Sequence, residues 1–244
     1  MATQRLLDYG SAGRVGILLP SVNQAAEPQL RSMLPPTIGI AVTRLKLVDS
    51  SELALLGMTR DIEAASELLA DAGVDLVVFH CTAVSTYSAD LEASILERIA
   101  AATGLPALAT SQALVGALQE LSARSVVMLS PYTAPVNERE RAFFTRRGFD
   151  VLSTAGLGCT TGREMMSLTP EMWHSFALRN ADPRADAYVL SCTTVRTAEA
   201  IEALEQELDR PVITSNTAVA WDAMRMLGVR EKILGFGRLL SKAD

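Results

Sequence analysis

The chain repeats itself, and that limits its fold more than any other feature. Asp75-Leu-Val-Val-Phe-His80-Cys81-Thr82-Ala83-Val-Ser-Thr86 resembles Asp186-Ala-Tyr-Val-Leu-Ser191-Cys192-Thr193-Thr194-Val-Arg-Thr197 at an offset of 111 residues. The same offset sets Val15-Gly-Ile-Leu-Leu-Pro20 over Val126-Val-Met-Leu-Ser-Pro131. A nearby offset of 105 sets Pro106-Ala-Leu-Ala-Thr-Ser111 over Pro211-Val-Ile-Thr-Ser-Asn216. Three matches in one order predict two similar halves packed about a pseudo-two-fold.

Within each half, short apolar runs alternate with helical stretches. The runs are 15–19, 40–45, 76–79, 107–109, 126–129, 188–190, 212–214 and 233–236. Several are nearly continuous and β-rich, as strands buried on both faces should be. Segments 59–72, 88–103, 111–121, 136–147, 197–208 and 217–227 mostly carry apolar residues at three- and four-residue spacing, the helical period. The alternation predicts an α/β fold of βαβ units: two pseudo-symmetric lobes, each with a mostly parallel four-stranded sheet flanked by helices, and an active site between them. The first lobe is expected to comprise 1–118 plus about 228–244, with the run 233–236 returning to it as a strand, and the second 119–227.

Composition narrows the partners. The net charge of −6 has no basic block to attract nucleic acid. No apolar run approaches the ~18 residues that suggest a membrane span. Residues 1–13 are polar, with no apolar core of a secretory signal. Three widely spaced cysteines make neither a disulfide framework nor a C-x-x-C metal site. The expectation is a cytoplasmic protein with free thiols, no metal and no cofactor. Self-association as a homo-oligomer, dimer or tetramer, is left open.

Parallel α/β sheets bind ligands at the carboxyl ends of their strands. Here those ends are Pro20-Ser21-Val22-Asn23, Cys81-Thr82-Ala83, Thr110-Ser111, Pro131-Tyr132-Thr133, Cys192-Thr193-Thr194 and Ser215-Asn216. If the halves face each other, all six meet at one cleft, each followed by a helix whose first N–H groups can bind an anion. Their hydroxyls and amides suit a small carboxylate, and no G-x-G-x-x-G or P-loop marks a nucleotide. A cysteine before a helix N-terminus is where a thiol pKa falls. Cys81 and Cys192, one per half, can address opposite faces of one carbon; in isolation each would read as a small packing residue. Tyr132 reads as a hydrogen-bond donor to substrate, and Asn23 as a carboxylate contact or a helix cap. Cys159 reads as packing, and His80, by strand alternation, as a core histidine facing away from the cleft. His174 reads as a surface residue on a helix. Arg163, Glu164 and Arg196 lie near the cleft loops without an assigned role.

These segments resemble the aspartate/glutamate racemase superfamily, in its branch of maleate cis–trans isomerases and arylmalonate decarboxylases. The resemblance covers nearly the whole chain. It rests on Pro20-Ser21-x-Asn23 with Glu27-Pro28, Cys81-Thr82-Ala83, Ser130-Pro131-Tyr132 and Leu190-Ser191-Cys192-Thr193. It implies an isomerase acting on maleate or a related small dicarboxylate, with Cys81 as nucleophile and Cys192 as proton donor. It also implies Ser21, Asn23, Thr82, Ala83, Tyr132, Thr193 and Thr194 around the substrate. Cys81 stands where the decarboxylases have glycine, which speaks against simple decarboxylation. Maleate isomerases usually place an Asn within 158–164; here Thr160 or Thr161 is expected to stand in for it. The alternatives are a two-cysteine racemase, a decarboxylase-like enzyme, or a small-acid-binding protein without catalysis.

Overall fold

The computed structural model describes residues 7–242. Its strands are β1 (Arg14–Pro20), β2 (Gly39–Leu45), β3 (Leu76–Phe79), β4 (Ala107–Ala109), β5 (Ser125–Ser130), β6 (Asp150–Gly156), β7 (Ala187–Leu190) and β8 (Val212–Thr214). They form two sheets of four, ordered β2-β1-β3-β4 and β6-β5-β7-β8, and every pairing is parallel. The two orders are the same order under the sequence repeat. The predicted fold class is therefore the observed one.

The helices are α1 (Ala26–Met33), α2 (Glu52–Gly57), α3 (Ile62–Asp71), α4 (Thr82–Ser85), α5 (Ala89–Thr103), α6 (Thr110–Glu120), α7 (Ala134–Arg146), α8 (Gly162–Ser167), α9 (Pro170–Arg179), α10 (Ile201–Leu208), α11 (Ser215–Met226) and α12 (Arg238–Ser241). The central strands β3 and β7 are buried along their whole length, which explains their unbroken apolar sequences. The surrounding helices bury one stripe each: Ile62, Ala65, Ser66 and Leu69 in α3; Ile201, Leu204 and Glu205 in α10.

Two expectations about strands need correction. The run 233–236 is not a strand. Gly235 and Gly237 take φ of +93° and +86°, a left-handed backbone that turns the chain into α12 instead of extending it. Leu234 is accordingly 75% exposed. The segment that follows touches both halves: the Arg238 N–H donates to Glu205 in α10, and Lys242 reaches Glu120 in α6. The eighth strand is β6, whose Asp150, Ser153 and Gly156 break any apolar run. Its end lies so close to the Tyr132 loop that a Cβ on Gly156 would sit 2.1 Å from Asn137 Nδ2.

The halves are joined by a buried polar chain as well as by apolar packing. The Asn216 amide on α11 donates to Gln29 Oε1 on α1 at 2.7 Å, and its Oδ1 meets His80 Nε2 at 2.9 Å. Gln29 in turn donates to the Val195 carbonyl at 2.7 Å, and His80 Nδ1 meets the Thr110 hydroxyl at 3.0 Å. Since Asn216 Oδ1 can only accept, His80 carries its proton on Nε2 and accepts from Thr110 on Nδ1. Burial pulls the His80 pKa down to about 4, so the ring is neutral and serves the seam, facing away from the cleft as strand alternation predicts. Truncating Asn216 to Ala strands the buried partners on α1 and at the end of β3. It should cost about 2–4 kcal/mol of unfolding free energy. Urea denaturation at neutral pH checks this; a loss under about 0.5 kcal/mol would mean that the chain carries no weight.

Candidate functional site

Where the strand ends of the two sheets converge lies a narrow cavity of about 40 Å³. Cavities for drug-sized ligands run to roughly 300–1,000 Å³, so only a small molecule fits without rearrangement. Its floor is built from central strand ends: Cys81 and Ala83 after β3, Tyr132 after β5, and Cys192, Thr193 and Thr194 after β7. The rim comes from the edge strands. Leu47, Asp49 and Ser50 follow β2, while Thr160 and Gly162 follow β6. The two rim loops are tied together, because the Thr160 carbonyl accepts from the Ser50 N–H at 3.1 Å and from the Ser50 hydroxyl at 3.2 Å.

Seven of the residues singled out in the sequence line this cavity: Cys81, Ala83, Tyr132, Thr160, Cys192, Thr193 and Thr194. Four do not. Ser21 staples its loop, donating to and accepting from the backbone of Leu47. Asn23 Oδ1 accepts from the Ala25 and Ala26 N–H groups at the start of α1, and its amide donates to Thr193 Oγ1 at 2.9 Å. It acts as a helix cap that also holds a cavity residue from the opposite half. The Thr82 hydroxyl donates to Ser215 Oγ at 2.8 Å, and that oxygen accepts the Cys192 N–H at 3.1 Å. Thr161 caps α8 in a box with Glu164. Cys159 is buried outside the lining, its N–H donating to the Pro131 carbonyl.

The thiols depart from expectation. Cys81 and Cys192 are 5% and 3% exposed. Burial pushes the Cys81 thiol up to about 12, outweighing the Val84 and Ala83 N–H groups that face its sulfur. Burial pushes Cys192 up to about 11, against the Tyr132 hydroxyl and Thr194 N–H that hydrogen-bond its sulfur. The lowered Cys81 pKa read from the sequence is therefore reversed in the resting cavity. Its helix, α4, is a single turn of four residues, too short to build much of a dipole. No helix directly follows Cys192 either. That residue sits at φ +110°, outside helical space, and the chain passes through a turn at Thr193–Thr194.

The sequence reading missed a carboxyl group. Glu140 lies on the buried stripe of α7 with Val136, Asn137, Phe143 and Phe144, and its Oε1 accepts from the Ser191 hydroxyl at 2.6 Å. Burial raises its pKa to about 7, and its charge in turn disfavours both thiolates. A glutamate on a helical stripe with Val136, Phe143 and Phe144 was the available signal. Leu47, Leu55 and Met165 were missed as well, with Met165 Sδ 3.9 Å from the Cys192 sulfur. No group of His, Cys, Asp and Glu among the described residues could hold a metal ion, and no described helix is long and apolar enough to cross a membrane.

Two measurements test this electrostatic picture. At pH 7, Cys81 and Cys192 should react with iodoacetamide at least about a hundredfold more slowly than free cysteine, with rates still climbing above pH 9. Peptide mapping of a labelling time course reads this out, and rapid labelling of either at neutral pH contradicts it. Glu140 binds its proton more tightly folded, at about 7, than unfolded, near 4.5. Its stabilising contribution is whole below pH 4.5 and is lost as pH rises through 7. Compared with Glu140→Gln, the native protein should lose on the order of 3 kcal/mol of stability across that window. Parallel pH-dependences of unfolding in the two proteins would refute the shift.

The family profile described as arylmalonate decarboxylase matches residues 15–240. The arylmalonate decarboxylase of Bordetella bronchiseptica is 29% identical, over 91% of this chain and 100% of its own length. The maleate isomerase of Nocardia farcinica is 27% identical, over 93% of this chain and 95% of its own. A solved cysteine-to-serine mutant of the Nocardia farcinica maleate cis-trans isomerase, with a covalently bound succinylcysteine intermediate, superposes with a TM-score of 0.87. It is 25% identical over 95% of this chain and 99% of that one. With matched sheets, a site at the strand ends and a profile spanning almost every residue, this chain belongs to the arylmalonate decarboxylase family, and it is similar both to a decarboxylase and to maleate isomerases.

Proposed function

We propose that the protein isomerises a small cis-2-enoic acid to its trans form through a covalent Cys81 adduct, the class of reaction that its maleate isomerase relatives perform on maleate. One observation carries this reading. Two thiols, from equivalent strand ends of the two halves, open onto a single cavity with room only for a small molecule. Decarboxylation offers no evident use for the second thiol, whereas addition and protonation use both. The succinylcysteine intermediate of a similar isomerase supports the same chemistry.

Cys81 first releases its proton to solvent, against the burial that opposes this. Its thiolate adds to the double-bond carbon farther from the carboxylate, forming a C–S bond. The π electrons move into the carboxylate as an enediolate, held by the hydroxyls around the floor of the cavity. The Cys192 S–H delivers its proton to the carbon next to the carboxylate. Tyr132 and Thr194 already hydrogen-bond the Cys192 sulfur, so they stabilise the thiolate left behind. The former double bond is now single and rotates. Cys192 retakes the proton, the C–S bond breaks, and the trans acid leaves.

The first step costs ionisation of a buried thiol, so kcat/KM should rise with pH from 6 to 9 without reaching a plateau. Cys81→Ser should abolish turnover and leave no adduct. Cys192→Ser should lower turnover by at least about a thousandfold and accumulate an adduct at Cys81 of the acid's own mass. Mass spectrometry after incubation with maleate and with cis-2-alkenoic acids reads both. Full activity in either variant, or solvent hydrogen entering the acid's α position with no adduct and no change of double-bond geometry, would remove this mechanism.

A further inference from the structure

The cavity differs at its two ends. The floor gathers polar groups beside the thiols: the Tyr132 and Thr194 hydroxyls, both directed at the Cys192 sulfur, the Thr193 hydroxyl, whose oxygen accepts from Asn23, and the backbone of Ala83. One carboxylate is accommodated there. Toward the edge strands the walls are Val22, Leu47 and Leu55, the last two buried, and the buried Met165 lies against the Cys192 sulfur. The polar side chains at that end are already committed. Ser50 donates its hydroxyl to the Thr160 carbonyl, and Thr160 donates its own to Glu164 Oε2, also at 3.2 Å. The charge lining that end is negative: Asp49, whose carboxylate accepts the Ser51 N–H and is held ionised by hydrogen bonds from Ser51. Among the described residues no Lys, Arg, His, Asn or Gln lines any part of the cavity. Asn23, the amide nearest in sequence to the floor, is turned away to cap α1 and hold Thr193.

A second carboxylate placed at the rim end would lose part of its water, meet no side chain free to donate to it and only main-chain N–H groups such as that of Gly162, and lie among apolar walls beside Asp49. Desolvating an ion without a partner is among the most unfavourable things a site can do. An uncharged branched or planar apolar group of the same size would instead bury surface against Leu47 and Leu55. We infer that this enzyme takes monocarboxylic acids with an apolar group where maleate carries its second carboxylate. Taken with the isomerase reading above, on which it rests, the substrate class is the cis-2-enoic acids with an apolar substituent at the far end of the double bond.

The test uses isosteres, in which an isopropyl group replaces a carboxylate. With the full-length protein, calorimetric titration compares two acids that cannot react, 4-methylpentanoate and succinate. The monocarboxylate should bind at least about tenfold more tightly. Asp49→Asn should strengthen succinate several-fold and leave 4-methylpentanoate within about twofold, narrowing the gap. Equal or tighter binding of succinate, or failure of 4-methylpentanoate to bind at all, overturns the inference. Turnover of (Z)-4-methylpent-2-enoate and of maleate is then compared by kcat/KM. A binding preference without isomerisation or a Cys81 adduct from either cis acid removes the isomerase reading and leaves the ligand class standing. Isomerisation of maleate at or above the rate of its isostere removes the ligand class and leaves the isomerase standing.

Discussion

The cavity lies where buried polar groups from one half of the chain find partners in the other half. His80 and Gln29 find their partner in Asn216, Thr82 in Ser215, and Thr193 in Asn23. These groups are buried, so each bond left unmade would carry its full desolvation penalty. That fixes how the two sheets meet, and the meeting of their strand ends fixes everything the site does. The floor residues are connected to this seam at one or two removes. The Cys192 N–H is held by the same Ser215 oxygen that accepts from Thr82, and Thr193 is held by the residue that caps α1. A site built this way is rigid because it is shared.

The same burial that organises the site also quiets it. Desolvation dominates the thiols, Tyr132 and Glu140 alike, and in each case it favours the neutral form. In the free protein the two cysteines are therefore protonated, with a carboxyl that titrates near neutrality behind one of them. A proton donor gains from this arrangement and a nucleophile does not. The proposed division of labour gives Cys192, with its hydrogen bonds from Tyr132 and Thr194, the role of carrying a proton in both directions. Cys81 has only two main-chain N–H groups to offset its burial, so ionising it is the demanding step.

Legibility in the sequence followed the repeat. Seven strands lay where apolar runs predicted them, and the matched segments gave the shared topology of the two sheets. The missed strand, β6, has polar and glycine residues that hide it from any search for apolar runs. Yet its bounds are those of β2 displaced by the same 111 residues, so the repeat contained what its composition concealed. The false strand at 233–236 is the opposite case. It has the hydrophobicity of a strand but no counterpart in the repeat, and two glycines with left-handed backbones end it. Similarly, Asn23 was legible as a strand-end residue that could bind a carboxylate or cap a helix, whereas the resemblance offered Thr161 only as a substrate contact and the structure makes it the cap of α8.

By itself, then, the sequence determined the α/β class, the two-fold architecture, and the pairing of Cys81 with Cys192, because these depend on pattern and on rules of chain connectivity. Only the tertiary structure decided the protonation state of the thiols, the place of Glu140 behind Ser191, and the apolar walls supplied by Leu47, Leu55 and Met165. Those properties depend on what surrounds a group in three dimensions. A cysteine at a strand end carries no record in its neighbours along the chain of how much water will reach it, and solvation is the quantity that sets its chemistry.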